Sequence, residues 1–246
     1  MNAMKYIEIF SKTALSKSSL EGTDYSLNPY IGCQHACTYC YAPYVLRRDP
    51  DEWTKTILVK KNLPLLLEKE LKRKRGSILI SSVTDPYQPA ENVYHITRQA
   101  LEILKNHNNR VSILTKSALI LRDFELICKI HDIEVGVSFS TLNEFLKQRV
   151  EPQSSTVAQR LQILQKFAGY VPTYVMLAPM IYNIENETES MLQTFSAMKV
   201  SYIILDRFRM KEGMRTFNTD FIGSVQYSNI RAQFIKNAES YHLKIL

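Results

Sequence analysis

Glycine and proline are scarce in this chain, 7 and 9 of 246 residues, which leaves little room for a long disordered tract. No internal repeat or low-complexity segment interrupts it. No stretch of about 18 consecutive apolar residues occurs, so a membrane-spanning helix and a membrane partner are not expected. Residues Met1–Leu20 lack the continuous apolar core and small-residue cleavage site of a secretory leader. A cytoplasmic location is the expectation. Cysteine is sparse too: the chain has four, and three of them crowd within eight positions. A secreted disulfide framework would disperse them in pairs, so a tight group in an expected cytosolic chain reads as a metal site.

A chain of this length with 45% hydrophobic residues can bury a sizeable core, as one large domain or two small ones. The net charge of +7 has a visible source in Lys69–Arg75, which carries Lys69, Lys72, Arg73, Lys74 and Arg75. Such a run suits the solvated C-terminal end of a helix, where cations complement the helix dipole, and it would equally suit a nucleic-acid contact.

Short β-branched runs recur along the chain. Strands are predicted at Ser26–Ile31, Ser77–Val83, Arg110–Thr115, Ile133–Phe139, Pro172–Ala178 and Val200–Leu205. They are apolar at successive positions, the pattern of strands covered on both faces. Between them, apolar residues at helical spacing predict helices over Leu63–Arg75, Ile96–His107, Leu119–His131, Thr156–Phe167 and Glu187–Met198. Ser228–Ser240 is expected to be helical and to cover an edge. Six strands alternating with helices predict the α/β class, with parallel strands curled into a partial (β/α)6 TIM-type barrel; a flat doubly wound sheet is the alternative. The expected organisation is an N-terminal extension over 1–23, the barrel core over 24–210, and a C-terminal helical segment over 211–246 packed on that core.

The segment Asn28-Pro29-Tyr30-Ile31-Gly32-Cys33-Gln34-His35-Ala36-Cys37-Thr38-Tyr39-Cys40-Tyr41 follows the first predicted strand, where a barrel places its ligand loops. Three thiolates can hold three irons of a [4Fe–4S] cube. Electron-carrier ferredoxins use a fourth, and its absence here leaves one iron open to an external ligand. A zinc site with His35 as fourth ligand competes with this reading. A non-catalytic Fe–S or zinc module that binds nucleic acid is the corresponding alternative function. Cys128, far away on the apolar side of a predicted helix, reads as a small buried hydrophobe.

The spacing Cys33-x3-Cys37-x2-Cys40, with aromatic Tyr39 before the last cysteine, resembles the radical S-adenosylmethionine (SAM) superfamily. That resemblance implies a [4Fe–4S] cluster whose free iron binds the amino and carboxylate groups of SAM. It implies reductive cleavage to methionine and a 5′-deoxyadenosyl radical, which takes a hydrogen atom from a substrate. It also implies an electron donor such as flavodoxin or ferredoxin.

Further segments resemble the spore photoproduct lyase-like branch, often labelled DNA repair photolyase. They are Thr84-Asp85-Pro86-Tyr87-Gln88-Pro89 with Glu91, Thr115–Asp123, Val137–Leu142, Glu151-Pro152 with Arg160, and Ala178-Pro179. Nucleic acid is therefore a candidate partner. The lyase itself carries one more cysteine, a hydrogen donor, between the cluster loop and the end of the second strand. This sequence departs from that pattern, because Tyr41–Thr84 contains none.

The candidate SAM contacts stand at predicted strand ends. Lys116 is a natural partner for the carboxylate, the role the resemblance also implies. Ser138 and Ser140 can bond the ribose or the methionyl end, and Ser82 and Thr84 the ammonium. Tyr39 is expected near the adenine. Asp85 is either a SAM contact or the start of a turn. Glu151 either meets SAM or anchors its loop with Arg160. No further catalytic residue is identifiable.

Overall fold

The computed structural model describes residues 4–180, 184–208, 210–212, 214 and 224–246. Positions 1–3 of the expected N-terminal extension, and 213 and 215–223 of the expected C-terminal segment, lie outside the described residues. Eleven strands are described: β1 (Lys5–Ile9), β2 (Leu15–Lys17), β3 (Tyr25–Leu27), β4 (Tyr30–Ile31), β5 (Thr56–Lys60), β6 (Ile78–Ile80), β7 (Val111–Thr115), β8 (Ile133–Phe139), β9 (Thr173–Leu177), β10 (Tyr202–Leu205) and β11 (Lys244–Ile245). The helices are α1 (Ala42–Val45), α2 (Leu63–Leu71), α3 (Glu91–Tyr94), α4 (Ile96–Leu104), α5 (Phe124–Ile127), α6 (Glu144–Val150), α7 (Val157–Phe167), α8 (Thr188–Ala197) and α9 (Ser224–Ala238).

The main sheet runs β11-β10-β9-β8-β7-β6-β3-β2. From β3 to β11 every neighbouring pair is parallel, and only β2 joins antiparallel, on β3. Between most consecutive parallel strands the chain passes through helical segments, as a parallel sheet requires. The result is the mixed α/β fold of a partial TIM-type barrel. A second sheet, β1-β5-β4, holds the start of the chain against it.

Several expected boundaries move, each for a local reason. The strand expected over Ser26–Ile31 divides into β3 and β4, in different sheets. Pro29 between them has no N–H to continue a ladder. Asn28 turns its side chain to the backbone N–H groups of Ser82 and Val83, 3.0 and 3.2 Å away. The strand expected over Ser77–Val83 ends at Ile80, because Ser81 takes a left-handed φ of 70°. The helix expected over Leu119–His131 is a 3-10 turn over Ala118–Asp123 followed by the short α5. The C-terminal segment is helical through Ala238 and then adds β11 to the sheet, a strand too short to show a pattern.

On β8, Ile133, Val135, Val137 and Phe139 join the apolar core beneath the helices. Alternation turns Glu134, Gly136 and Ser138 to the barrel interior. There Tyr174 of β9 stacks on Tyr202 of β10 with ring centroids 5.1 Å apart. A Cβ on Gly136 would stand 2.1 Å from the Tyr174 ring, so glycine is needed for the ring to lie across β8. The Tyr174 and Ser112 hydroxyls are 3.0 Å apart, and Tyr202 donates to Glu134 over 2.9 Å. These side chains fill the interior toward the N-terminal ends of the strands, so a ligand must enter from the C-terminal ends.

Lys69–Arg75 sits at the end of α2, leading into the start of β6. Lys74 bonds Glu70 and the carbonyl of Leu15, both over 2.9 Å, and Arg75 caps the carbonyl of Leu71 over 3.0 Å. The run is thus at the opposite end of the strands from the cysteine loop.

Candidate active site around the three-cysteine loop

Residues 33–40 form a loop at the C-terminal ends of the strands. Its entry depends on Gly32, whose φ of 96° and close neighbours exclude a side chain: a Cβ would stand 2.6 Å from the carbonyl of Thr56. The Gly32 carbonyl accepts from Thr84 Oγ1 over 2.7 Å and from Gln88 Nε2 over 3.1 Å. Cys33 N–H donates to the Trp53 carbonyl over 3.2 Å, and Thr38 N–H to the Val150 carbonyl over 2.9 Å. The loop is therefore tied to the turn before β5, to the turn after β6 and to the end of α6.

The cysteine side chains stay partly open, yet the surrounding protein crowds their sulfurs. Burial pushes the Cys37 thiol up to about 12, against the pull of Lys116. Burial raises Cys33 as well, reinforced by the Asp85 carboxylate, and it raises Cys40. Free thiols here are protonated at neutral pH, and iron binding must displace those protons.

Lys116 follows β7 and is half-buried. Among the described residues no carboxylate stands within ion-pair distance of its Nζ, which lies 5.7 Å above the Tyr39 ring. Burial works against its charge, but Glu151 and Cys37 overcome that and raise its pKa. Ser138 lies in β8 and Ser140 just beyond it, both buried. Ser140 Oγ is enclosed with no hydrogen-bond partner among the described residues. Ser81 Oγ is enclosed in the same way.

The other candidates have their polar atoms on protein partners. Thr84 holds Gly32. Ser82 Oγ accepts from Asn28 Nδ2 over 3.3 Å. Asp85 is a hub: it accepts from Tyr87 N–H (2.9 Å), Thr115 Oγ1 (2.7 Å) and Lys116 N–H (2.8 Å), and it faces His35 Nδ1 at 3.4 Å. Burial would raise the Asp85 carboxyl, yet His35 and these donors bring it down to about 2. Glu151 is fully buried, accepts from the Tyr39 hydroxyl and pairs with Arg160. Burial raises its pKa, but Arg160 and Lys116 reverse the sign and keep it ionised.

Because the folded pKa of Asp85 is depressed, its stabilisation is complete above about pH 4 and disappears as pH falls toward 2. Its size is on the order of 2 kcal/mol. Asp85→Asn loses one acceptor, and the variant is expected to be destabilised by about 1–3 kcal/mol at pH 7. Urea unfolding at pH 7 and pH 3 measures this; the gap between variant and wild type should narrow at pH 3. A variant as stable as wild type at pH 7 contradicts the hub.

A second buried network backs the site, and its parts were legible only as motif letters. Glu91 accepts from the Tyr30 hydroxyl, from Thr97 and Arg98 N–H over 2.9 and 3.1 Å, and from Arg122 over 3.0 Å. Asp123 accepts from Arg122 over 2.8 Å and from Arg98. Tyr87 is fully buried beside them. These residues join the turn after β6 to the turn after β7. Gln88 and Gln34, also missing from the sequence candidates, cross-link the cysteine loop: Gln88 Oε1 accepts from Gln34 N–H over 3.1 Å.

The residues present fit a [4Fe–4S] cluster with SAM: three thiols on one loop and, among the described residues, a lysine without an ion-pair partner and an enclosed serine hydroxyl without a hydrogen-bond partner. They do not fit the zinc reading, because His35 is turned to Asp85. Among the described residues no three His, Cys, Asp or Glu side chains close round a point as one metal ion would need. Cys128 ends α5 and packs against the apolar core, although it is only partly buried.

Comparisons with known proteins bear on the family. The chain is 37% identical over 182 residues to an uncharacterized protein of Methanocaldococcus jannaschii, covering 72% of this chain and 68% of that one. It is 29% identical over 206 residues to an uncharacterized protein of Mycobacterium tuberculosis, of whose length it spans 61%. A spore photoproduct lyase variant with bound AdoMet and dinucleoside spore photoproduct superposes with a TM-score of 0.77 at 13% identity, over 98% of this chain and 80% of that one. SuiB of Streptococcus suis bound to S-adenosylmethionine gives 0.64 at 12% identity, over 99% of this chain and 50% of that one. The likeness to the lyase and to SuiB is one of fold. The profile of the radical SAM superfamily matches residues 27–195, which hold the cysteine loop and the strand-end residues around it. The chain belongs to the radical SAM superfamily and is an enzyme whose cofactors are a [4Fe–4S] cluster and SAM.

Proposed function

We propose that this enzyme takes a hydrogen atom from a nucleic-acid substrate held over the C-terminal mouth of the partial barrel. The observation that carries the reading is the meeting, at that mouth, of three thiols and a half-buried lysine whose ammonium has no ion-pair partner among the described residues. Cys33, Cys37 and Cys40 would hold the cluster. When bound, the cluster and SAM supply the one-electron cleavage from which the hydrogen-abstracting radical comes.

The chain's own residues position and shield. The Lys116 ammonium is available to a carboxylate, and the SAM carboxylate is the ligand group that fits it. Ser140 Oγ, with Ser138 beside it, offers a hydroxyl to the ribose or methionyl end. Asp85 fixes Lys116 through its backbone N–H, while Glu151 and Arg160 fix Tyr39 as one wall. In this reading Ser82, Thr84, Asp85 and Glu151 shape the pocket, and Lys116, Ser138 and Ser140 touch SAM.

The substrate class is argued from the rim. Directly after Cys40 come exposed Tyr41 and Val45, then exposed Arg47 and Arg48. A ring for stacking with cations behind it suits a base and its phosphates. The dinucleoside in the similarly folded lyase supports the same class. The basic run at the end of α2 takes no part, since it lies at the far end of the strands. A flavodoxin- or ferredoxin-like electron donor and a cytoplasmic setting belong to the same proposal; no helix among the described residues is long and apolar enough to cross a membrane. The partial barrel over 24–210 is taken as the catalytic unit, with 1–23 and 211–246 as its flanks.

An anaerobic assay of the reconstituted enzyme tests this, with SAM, reductant and separate DNA, RNA and peptide mixtures. The expected result is 5′-deoxyadenosine formation stimulated by DNA or RNA. Stimulation by peptides alone overturns the substrate class. No deoxyadenosine under any condition overturns the reaction.

A further inference from the structure

The start of the chain reaches the cysteine loop. β1 pairs in parallel with β5, from Lys5 beside Thr56 to Ile9 beside Lys60, and β5 pairs with β4, the strand that leads into Cys33. Half-buried Tyr6 of β1 is the contact. Its hydroxyl accepts from Gln34 Nε2 over 3.1 Å, and its ring meets Tyr94 edge-on with centroids 5.6 Å apart. Gln34 directly follows Cys33. Its Oε1 accepts from Ala90 N–H over 2.8 Å, and its backbone N–H donates to Gln88 Oε1 over 3.1 Å. Both ends of the Gln34 side-chain amide are therefore engaged, one on β1 and one at the cap of α3.

The segment between Cys33 and Cys37 needs such ties. It turns through Ala36, a non-glycine residue with a left-handed φ of 55°. On one side the His35 carbonyl accepts from Gln153 N–H over 3.2 Å. On the other side the Gln34 side chain reaches out to β1 and α3. Ties made when the chain folds remove loop freedom that cluster binding would otherwise have to remove.

We propose that Tyr6, acting through Gln34, is a positioning residue for the [4Fe–4S] cluster: β1 holds the segment between Cys33 and Cys37 in its ligating shape and so slows loss of the cluster. The inference rests on the assignment of Cys33, Cys37 and Cys40 as the ligands. Tyr6 acts one step behind them, where loss of a supporting partner commonly changes metal affinity by about 10–100-fold.

Tyr6→Phe keeps the ring against Tyr94 and removes the acceptor. Gln34→Leu removes both amide atoms. The loaded enzymes are mixed anaerobically with an iron chelator, and iron release is followed in time. Release from Tyr6→Phe is expected to be about 10-fold faster than from wild type. The EPR lines of its reduced cluster should be broader, because the loop samples more shapes. Adding Tyr6→Phe to Gln34→Leu should speed release no further, since the bond is already gone. Urea unfolding of the iron-free proteins controls for the fold, and the unfolding constant of Tyr6→Phe should change by much less than its release rate. A release rate or line width equal to wild type overturns the inference alone. So does an additive double variant, or an unfolding constant that changes as much as the release rate. A wild type that takes up no cluster overturns the cysteine assignment and the inference with it.

Discussion

Cys37→Ala should lose the cluster and, with it, SAM cleavage: iron and sulfide fall to background, and deoxyadenosine formation drops by at least about 100-fold. Changes one shell farther from a metal already cost about 10–100-fold, so loss of a direct ligand is expected to exceed that. The loop offers three thiols, the number that leaves one iron for SAM, and among the described residues no group of three His, Cys, Asp or Glu side chains offers a replacement site. His35 is engaged with Asp85, and Glu151 with Tyr39 and Arg160. Cys128→Ala is the matched control. That thiol packs on the core side of α5, away from the loop, so its removal should leave iron content and cleavage unchanged. Iron analysis and product chromatography on the two variants, reconstituted side by side, decide the matter. Retained cleavage in Cys37→Ala would remove the cluster assignment, and lost iron in Cys128→Ala would relocate it.

The parts of this molecule that were legible in the sequence are those encoded locally. Runs such as Ile133–Phe139 and Arg110–Thr115 read as buried parallel strands because both faces are covered, and three cysteines in eight positions need no tertiary information. What escaped depends on partners distant in the chain. The sheet β1-β5-β4 is assembled from short segments, with β1 pairing to β5 across 51 residues and β4 to β5 across 27 to 29, none with a pattern of its own. Asp85 and Thr84 were candidate SAM contacts from sequence, but nothing in their neighbours told that they hold Lys116 and Gly32 in place. Trp53 sits in an irregular polar stretch, and only the folded chain shows its N–H enclosed. Glu151 is intermediate: pairing with Arg160 was one of two readings open from sequence, and the buried ion pair is the one the structure contains.

That ion pair carries the second large effect. Arg160→Met is expected to destabilise the protein by about 3–5 kcal/mol, because it strands a fully buried carboxylate. Arg160 has no exposed surface and serves three neighbours besides Glu151. It donates to the Ser155 carbonyl over 3.0 Å, to the Ser138 carbonyl over 2.9 Å, and to Ser154 Oγ. It thereby ties α7 to the end of β8 and to the turn that carries Glu151. Lys147 cannot replace it: its Nζ is already bonded to the Ser154 carbonyl over 2.7 Å. The Arg160–Glu151 couple also sets Tyr39, so the variant should weaken SAM binding more than it weakens cluster uptake. A double-mutant cycle separates charge from packing. Adding Glu151→Gln to Arg160→Met removes the uncompensated charge, and the pair should recover part of the loss instead of adding to it. Urea unfolding of the four proteins measures the cycle. A cost below about 1 kcal/mol for Arg160→Met, the range of exposed pairs, would mean that water reaches Glu151 and that this corner of the site is open.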